Sequence, residues 1–233
     1  MAKVRIRAVA CRDLDDELLG RLHAMANALM AEDIEHFRLH AASNDVVHVF
    51  EAAGGEVVGF QFWKSAPLGR SRVIVGGKLR VLPQFRGRGL HLESGLRFYL
   101  RTRLRHPLGR IYRVSMASMF GFVSITEALA EYRFYDPAPT DAEGRLLDGV
   151  FREMAGYNGF RIDEDGLFEV DIHMTPQTLQ AFGDVYFARP AAVAYATRNP
   201  EFRTNGSYLG FWFRFTPRNV AALSRAVVRK RRR

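Results

Sequence analysis

At 233 residues with 48% hydrophobic side chains, the chain is long enough to bury a large core, which excludes a disordered segment. A formal net charge of +9 turns it toward anionic partners, whether acidic proteins, nucleic acid or lipid surfaces, without choosing among them. One cysteine, Cys11, excludes an internal disulfide framework, and no apolar run approaches the roughly 18 residues of a membrane span, so the expected setting is the cytoplasm.

Val4–Val9 alternates with period two and reads as a first strand. Asp13 or Asp15 then caps a helix in which Leu18, Leu22, Met25 and Leu29 recur at helical spacing, with Leu19, Ala26 and Met30 beside them. A second helix is read from Glu32 to His40. Strands follow at Val46–Phe50 and Val57–Trp63, joined across Gly54-Gly55 as a hairpin, and Ala66–Gly69 turns the chain into a strand over Arg72–Val81. Gly76-Gly77 marks either local flexibility or a bulge in that last strand.

Val81-Leu82-Pro83-Gln84-Phe85-Arg86-Gly87-Arg88-Gly89-Leu90-His91 joins the end of that strand to a helix through a basic, glycine-rich loop. Glycines let the backbone approach a ligand closely, and a helix start offers unpaired N–H groups at the positive end of its dipole, so the junction suits an anion, a phosphate above all. The third glycine and the following acidic residue of a dinucleotide-binding loop are missing, as is the Gly-Lys-Ser/Thr of a Walker loop. The helix from Leu90 to Arg105 is expected to turn Leu92, Leu96, Tyr99, Leu100 and Leu104 inward. Arg97, Arg101 and Arg105 align on another face at four-residue spacing, where like charges repel unless an anion compensates.

Ile111–Ser118 alternates as a fifth strand, and Ser124–Tyr132 reads as a short helix. Pro137-Ala138-Pro139-Thr140 reads as a linker into a helix over Asp141–Ala155, with Leu146, Leu147, Val150, Phe151 and Met154 on its apolar side. Leu167–Met174 and Ser207–Phe215 are expected as late strands, and Pro190–Asn199 as a helix or lid. Thr216-Pro217 starts a final helix through Val228, with Thr as cap, and Arg229–Arg233 reads as a solvated basic tail. The seven histidines are scattered and form no metal-binding pattern, so no metal is expected.

The wording Gln84-x-x-Gly87-x-Gly89, led in by Val81-x-Pro83 and followed by a long amphipathic helix, resembles the acyl-CoA pyrophosphate loop of the GNAT superfamily of N-acyltransferases. The resemblance is carried mainly by residues 46–135. It implies an α/β (α+β) fold: a mixed, mostly antiparallel twisted sheet with one splayed strand pair and flanking helices, plus a C-terminal extension. On that basis residues 1–136 are read as the acyl-CoA-binding core, and residues 137–233 complete the sheet and the acceptor side. The resemblance also implies a bulge in the fourth strand, with the pantetheine arm pairing with Leu79, Arg80 and Val81. Gln84, Arg86, Gly87, Arg88, Gly89, Leu90 and His91 would surround the diphosphate, and the main chain near Met116 and Ala117 would meet the thioester carbonyl. Ala128 and Tyr132 fit the end of the family's Asn-x-x-Ala-x-x-x-Tyr pattern, with Ile125 where its Asn would stand. Tyr132 is thereby the candidate acid for the departing thiolate, with Tyr135 as a competitor. Glu32, Glu35, His36 and His40, on the second helix, are candidate acceptor contacts.

The function so implied is transfer of an acetyl or longer acyl group from acyl-CoA to the amine of a small molecule or peptide, by direct attack on the thioester. An acidic acyl carrier protein is an alternative donor, and a non-catalytic CoA- or anion-binding module is the alternative from another class. Nucleic-acid binding through the basic tail is the least favoured reading. Cys11 has no directly adjacent His or Asp in sequence and is read as a small buried apolar residue. The fourth strand offers no carboxylate as general base, which leaves Glu51, His48, His36, His91 or an ordered water.

Overall fold

The structure, a computed structural model, describes every residue except 1–3, 30–32, 172, 174–181 and 233. It is a mixed α/β chain with mostly antiparallel strand pairing, and it divides into two compact units, Met1–Ile111 with Leu223–Arg233, and Tyr112–Ala222.

The first unit opens with β1 (Arg5–Ala10) and α1 (Asp16–Leu29). Of the two aspartates read as caps, Asp15 is the one whose Oδ1 accepts the Leu18 N–H, at 2.7 Å. The second helix, α2 (Ile34–Ala42), starts after Asp33, whose carboxylate accepts the N–H groups of Glu35 and His36. Glu32 and Met30 lie outside the described residues. Three further strands, β2 (Val46–Glu51), β3 (Val57–Leu68) and β4 (Ser71–Val81), complete a meander in the order β1-β2-β3-β4. Gly54 and Gly55, at φ 92° and 83°, make the expected hairpin turn. Past Trp63, β3 outruns β2, so Pro67, which has no N–H to donate, is carried inside the strand instead of ending it.

The bulge in β4 is real and falls one residue after the two glycines. Gln61 opposes Leu79 and Phe62 opposes Gly77, which leaves Lys78 as the extra residue, with φ 22°.

Both faces of this meander are covered. Val47, Val49, Phe60 and Phe62 point to α1 and α2, where Phe37 packs edge-on against both phenylalanines. On the other face lies α3 (Leu90–Arg105), and its buried stripe differs from the expected one. Ser94, Gly95, Phe98, Tyr99 and Thr102 face inward with Leu92, whereas Leu100 and Leu104 are exposed. The rotation follows from a polar bridge: the Ser94 hydroxyl sits 2.8 Å from both His48 Nδ1 and Trp63 Nε1, and Trp63 stacks on Phe98.

In the second unit, β5 (Ile111–Ala117) is followed by α4 (Met119–Thr126), β6 (Arg133–Phe134), α5 (Ala142–Asn158), β7 (Arg161–Ile162) and β8 (Leu167–Glu169). A short α6 (Asp184–Phe187), α7 (Pro190–Arg198) and β9 (Ser207–Arg214) complete it. β9 is the spine: β5 pairs with it from Tyr112 to Ala117, while β6 and β8 pair with successive parts of it. The helix expected over 124–132 instead occupies Met119–Thr126, and Tyr132 lies outside any helix, just before β6. β8 ends at Glu169, and the rest of the strand expected to Met174 includes residues outside those described.

The last helix, α8 (Pro217–Arg231), begins as expected, with the Thr216 hydroxyl accepting the Asn219 N–H. It also corrects the reading of the basic tail. Arg229, Lys230 and Arg231 are the helix's final turn, and the side chains of Lys230 and Arg231 pack within the first unit.

Candidate functional site

The loop between β4 and α3 is built by three local devices. Leu82 donates its N–H to Val58, which ties the end of β4 to β3, and Pro83–Phe85 makes a single tight turn. Phe85 is buried beside Leu90, Phe50 and Val58, anchoring the turn from below. Gly87 and Gly89 then take φ 76° and 73°, the left-handed region that glycine adopts without strain.

The main-chain amides of this loop divide into used and unpartnered, and of the residues that carry the latter Gly87 is exposed while Gly89 and Leu90 are buried. Arg86 gives its N–H to Pro83, so it is not part of a cradle for a ligand. The N–H groups of Gly87, Gly89 and Leu90 make no hydrogen bond to the described residues. They lie at the positive end of α3, 16 residues long. Around them, the Arg88 guanidinium rests over the Phe85 ring at 4.5 Å, the Arg86 Nε donates to the Val81 carbonyl, and Gln84 is exposed. His91 occupies the second position of α3 and is partly buried.

A wall of this loop comes from a part of the chain that the sequence reading set aside. A Cβ placed on Gly89 would lie 2.9 Å from the Cβ of Lys230 and 3.1 Å from its Cγ. One residue on, Arg231 donates Nε to Glu93 at 2.9 Å and also pairs with it through Nη2, and Glu93 takes a further ion pair from Arg97 at 2.7 Å. The signal that would have found this is the stripe Leu223, Ala226, Val227, Lys230 on α8, whose apolar members are all buried.

Leu79, Arg80 and Val81 follow the bulge in β4. Leu79 is exposed, and Arg80 donates Nη1 to the Leu79 carbonyl. Beside the bulge, the Nε2 of His40 is buried with no hydrogen-bond partner among the described residues and would lie 2.8 Å from a Cβ on Gly77. Burial, then the charges of His36 and Arg80, push the His40 pKa down to about 4, so this imidazole is neutral at pH 7. Burial, with Arg80 second, lowers Lys78 to about 8. The bulge thus gathers two basic groups whose charged forms are disfavoured.

The remaining candidates sort by what already engages them. His48 is locked by Ser94 within the core, and Glu51 is paired with Arg7 at 2.8 Å, so neither is available as a base. Cys11 is buried, and burial followed by Asp45 raises its pKa to about 12, which keeps it a thiol. In the second unit, the Tyr135 hydroxyl donates to Asp148, 2.7 Å away. Tyr132 packs edge-on against Phe122 and Phe134, and its hydroxyl makes no hydrogen bond to the described residues. Burial raises the Tyr132 pKa. The segment before it is held by Asn219, fully buried, which accepts the N–H groups of Ala130 and Glu131 and donates to the carbonyls of Glu131 and Arg214.

Met116 and Ala117 are consecutive residues of β5, so their N–H groups point to opposite edges, one toward β9 and one away. The carbonyl of Ala117 accepts the buried Tyr195 hydroxyl at 3.1 Å. Among the described residues no cluster of three His, Cys, Asp or Glu could hold a metal, and no helix is long and apolar enough to cross a membrane.

No protein-family model matches the chain, and no curated protein matches it. Solved structures do align with it. NAA60 of Arabidopsis thaliana, in complex with a bisubstrate analogue, aligns at 14% identity over 57% of this chain and 88% of that one, with a TM-score of 0.38. The NatC complex bound to Gag peptide and CoA aligns at 12% identity over 92% of this chain and 99% of that one, with a TM-score of 0.41. A GNAT-family acetyltransferase from Bacillus anthracis aligns at 12% identity over 92% and 96%, with a TM-score of 0.38. These TM-scores are low, and the chain's own residues carry the functional reading.

Proposed function

We propose that the chain is an N-acyltransferase that takes an acyl group from acyl-CoA and passes it to an amine. The observation that carries this reading is the set of N–H groups on Gly87, Gly89 and Leu90 that have no partner among the described residues, held by two left-handed glycines at the start of a long helix. A diphosphate supplies the acceptor oxygens that such amides lack, and Arg86, Arg88 and His91 surround it with positive or hydrogen-bonding groups. Gln84 borders the same loop. The strand that leads in, Leu79–Val81, offers main-chain groups to the amides of the pantetheine arm.

The chemistry proposed is direct. A neutral amine attacks the thioester carbonyl, the C–N bond forms, the C–S bond breaks, and the thiolate leaves with a proton. The second unit is assigned the acid, Tyr132, whose raised pKa keeps it protonated, and one of the Met116 and Ala117 N–H groups is assigned to the carbonyl oxygen. Neutral His40, buried beside the bulge, is assigned to the acceptor side of the site.

Titration with CoA, followed by thiol release from acetyl-CoA and longer acyl-CoAs over a panel of small amines and peptide N-termini, tests this reading. Binding with amine-dependent release is the expected result. Binding without release over the whole panel, and with acyl carrier protein as donor, supports the non-catalytic module instead, which the engagement of Glu51 and His48 by structural partners favours. Absence of CoA binding removes both.

A further inference from the structure

We propose a second anion site, at the far end of α3 from the glycine loop, that binds a small polyanion bearing a phosphate or several carboxylates. A cavity of about 690 Å³ lies there, a size that suits a small organic molecule. On the helix that joins the two places, Arg101 and Arg105 stand 11 and 15 residues after Leu90, about 16 and 22 Å along its axis at the usual rise per residue. A ligand here is therefore distinct from one held at residues 87–90.

The charge around the cavity is lopsided. Arg12, Arg72, Arg101 and Arg105 line it, together with His106, against a single carboxylate, Asp45. That carboxylate is already engaged, since its Oδ2 accepts the Ser65 N–H at 2.7 Å. Arg101 and Arg105 stand one turn apart on α3 with no acidic partner among the described residues, an arrangement that repels itself when empty. The field of Arg101 is felt in the core, where it helps hold His48 neutral.

The cavity is also ordered. Arg72 is fixed by bonds from Nη2 to the Ser65 carbonyl and from Nε and Nη2 to its hydroxyl, which leaves Nη1 without a partner among the described residues. Its guanidinium is thus pre-positioned, with little freedom left to lose on binding. Arginine forks match the paired oxygens of phosphate and carboxylate alike, and Phe98, Cys11 and Val46 supply an apolar floor for the body of the ligand.

Calorimetry on the full chain saturated with CoA, so that residues 87–90 are occupied, with inorganic pyrophosphate in one arm and citrate in the other tests the site and separates the two anion chemistries. Binding of at least one is expected, and R101Q/R105Q should weaken it about tenfold or more while leaving CoA affinity within about twofold. R12Q, at an exposed position, should weaken it less and serves as the check should the double variant fold poorly. Pyrophosphate binding that survives unchanged in both variants comes from elsewhere and overturns the proposal. So does a lack of binding by either anion below about 10 mM.

Discussion

The side chain of Lys230 occupies the space beside Gly89 that any larger residue would need: an added Cβ would come within 2.9 Å of the lysine Cβ. Gly87 has a similar φ but no atom within 4 Å of such a Cβ. The two glycines therefore differ in what a methyl group does to them. Gly87→Ala should cost about 1 kcal/mol of backbone strain, a several-fold loss of CoA affinity, because only the torsion is unfavourable. Gly89→Ala adds displacement of Lys230 and should weaken CoA by about tenfold or more. Calorimetry on the two variants checks the order, and equal effects would remove Lys230 from the account.

Removing residues 229–233 takes away Lys230 and the Arg231 pairs with Glu93 together. The truncated chain should bind CoA about tenfold more weakly and lose part of the salt dependence of that binding. Unchanged affinity at low and high salt would return the basic residues to the role of a solvated tail.

Tyr132 and Tyr135 should separate cleanly by substitution. Tyr132→Phe removes a hydroxyl with no described partner, so it should leave stability and CoA binding intact while lowering turnover by about 100-fold. Tyr135→Phe removes the bond to Asp148, so it should lower stability by about 1 kcal/mol with turnover unchanged. Steady-state rates and urea titrations on both variants decide between the two tyrosines.

Stability should depend on pH through His40 and His48. Burial pushes both from the usual 6.5 down to about 4, so between those values the unfolded chain binds more protons than the folded one. Stability is then fully present above about pH 6.5 and is lost progressively as pH falls toward 4. For the better buried His48 the loss is on the order of 3 kcal/mol. His48→Gln should flatten the slope of urea midpoint against pH between 4.5 and 6.5, and an unaltered slope would show that His48 titrates normally.

What the residues reveal by themselves tracks how local the determinant is. The Gly54-Gly55 hairpin, the Thr216-Pro217 helix start and the glycine loop each depend on a few adjacent residues, and each is where the pattern puts it. The face of α3 was not readable, because Leu100 and Leu104 fit an apolar stripe as well as any core residue does. What turns the helix is a serine bridging His48 and Trp63, a partnership of residues far apart in sequence. Tyr132 shows the same limit. Its spacing from Ala128 suits a helix, but the chain there is held outside the helix by Asn219, 88 residues from Glu131.

The pairing of Glu93 with Arg231 spans 138 residues. On the ribosome, the glycine turn and the first part of α3 emerge long before the helix that walls them. At ordinary elongation rates the delay is roughly 7 to 28 seconds. A nascent chain therefore carries the glycine turn without its Lys230 wall, and Glu93 without its Arg231 partner, until that last helix has emerged.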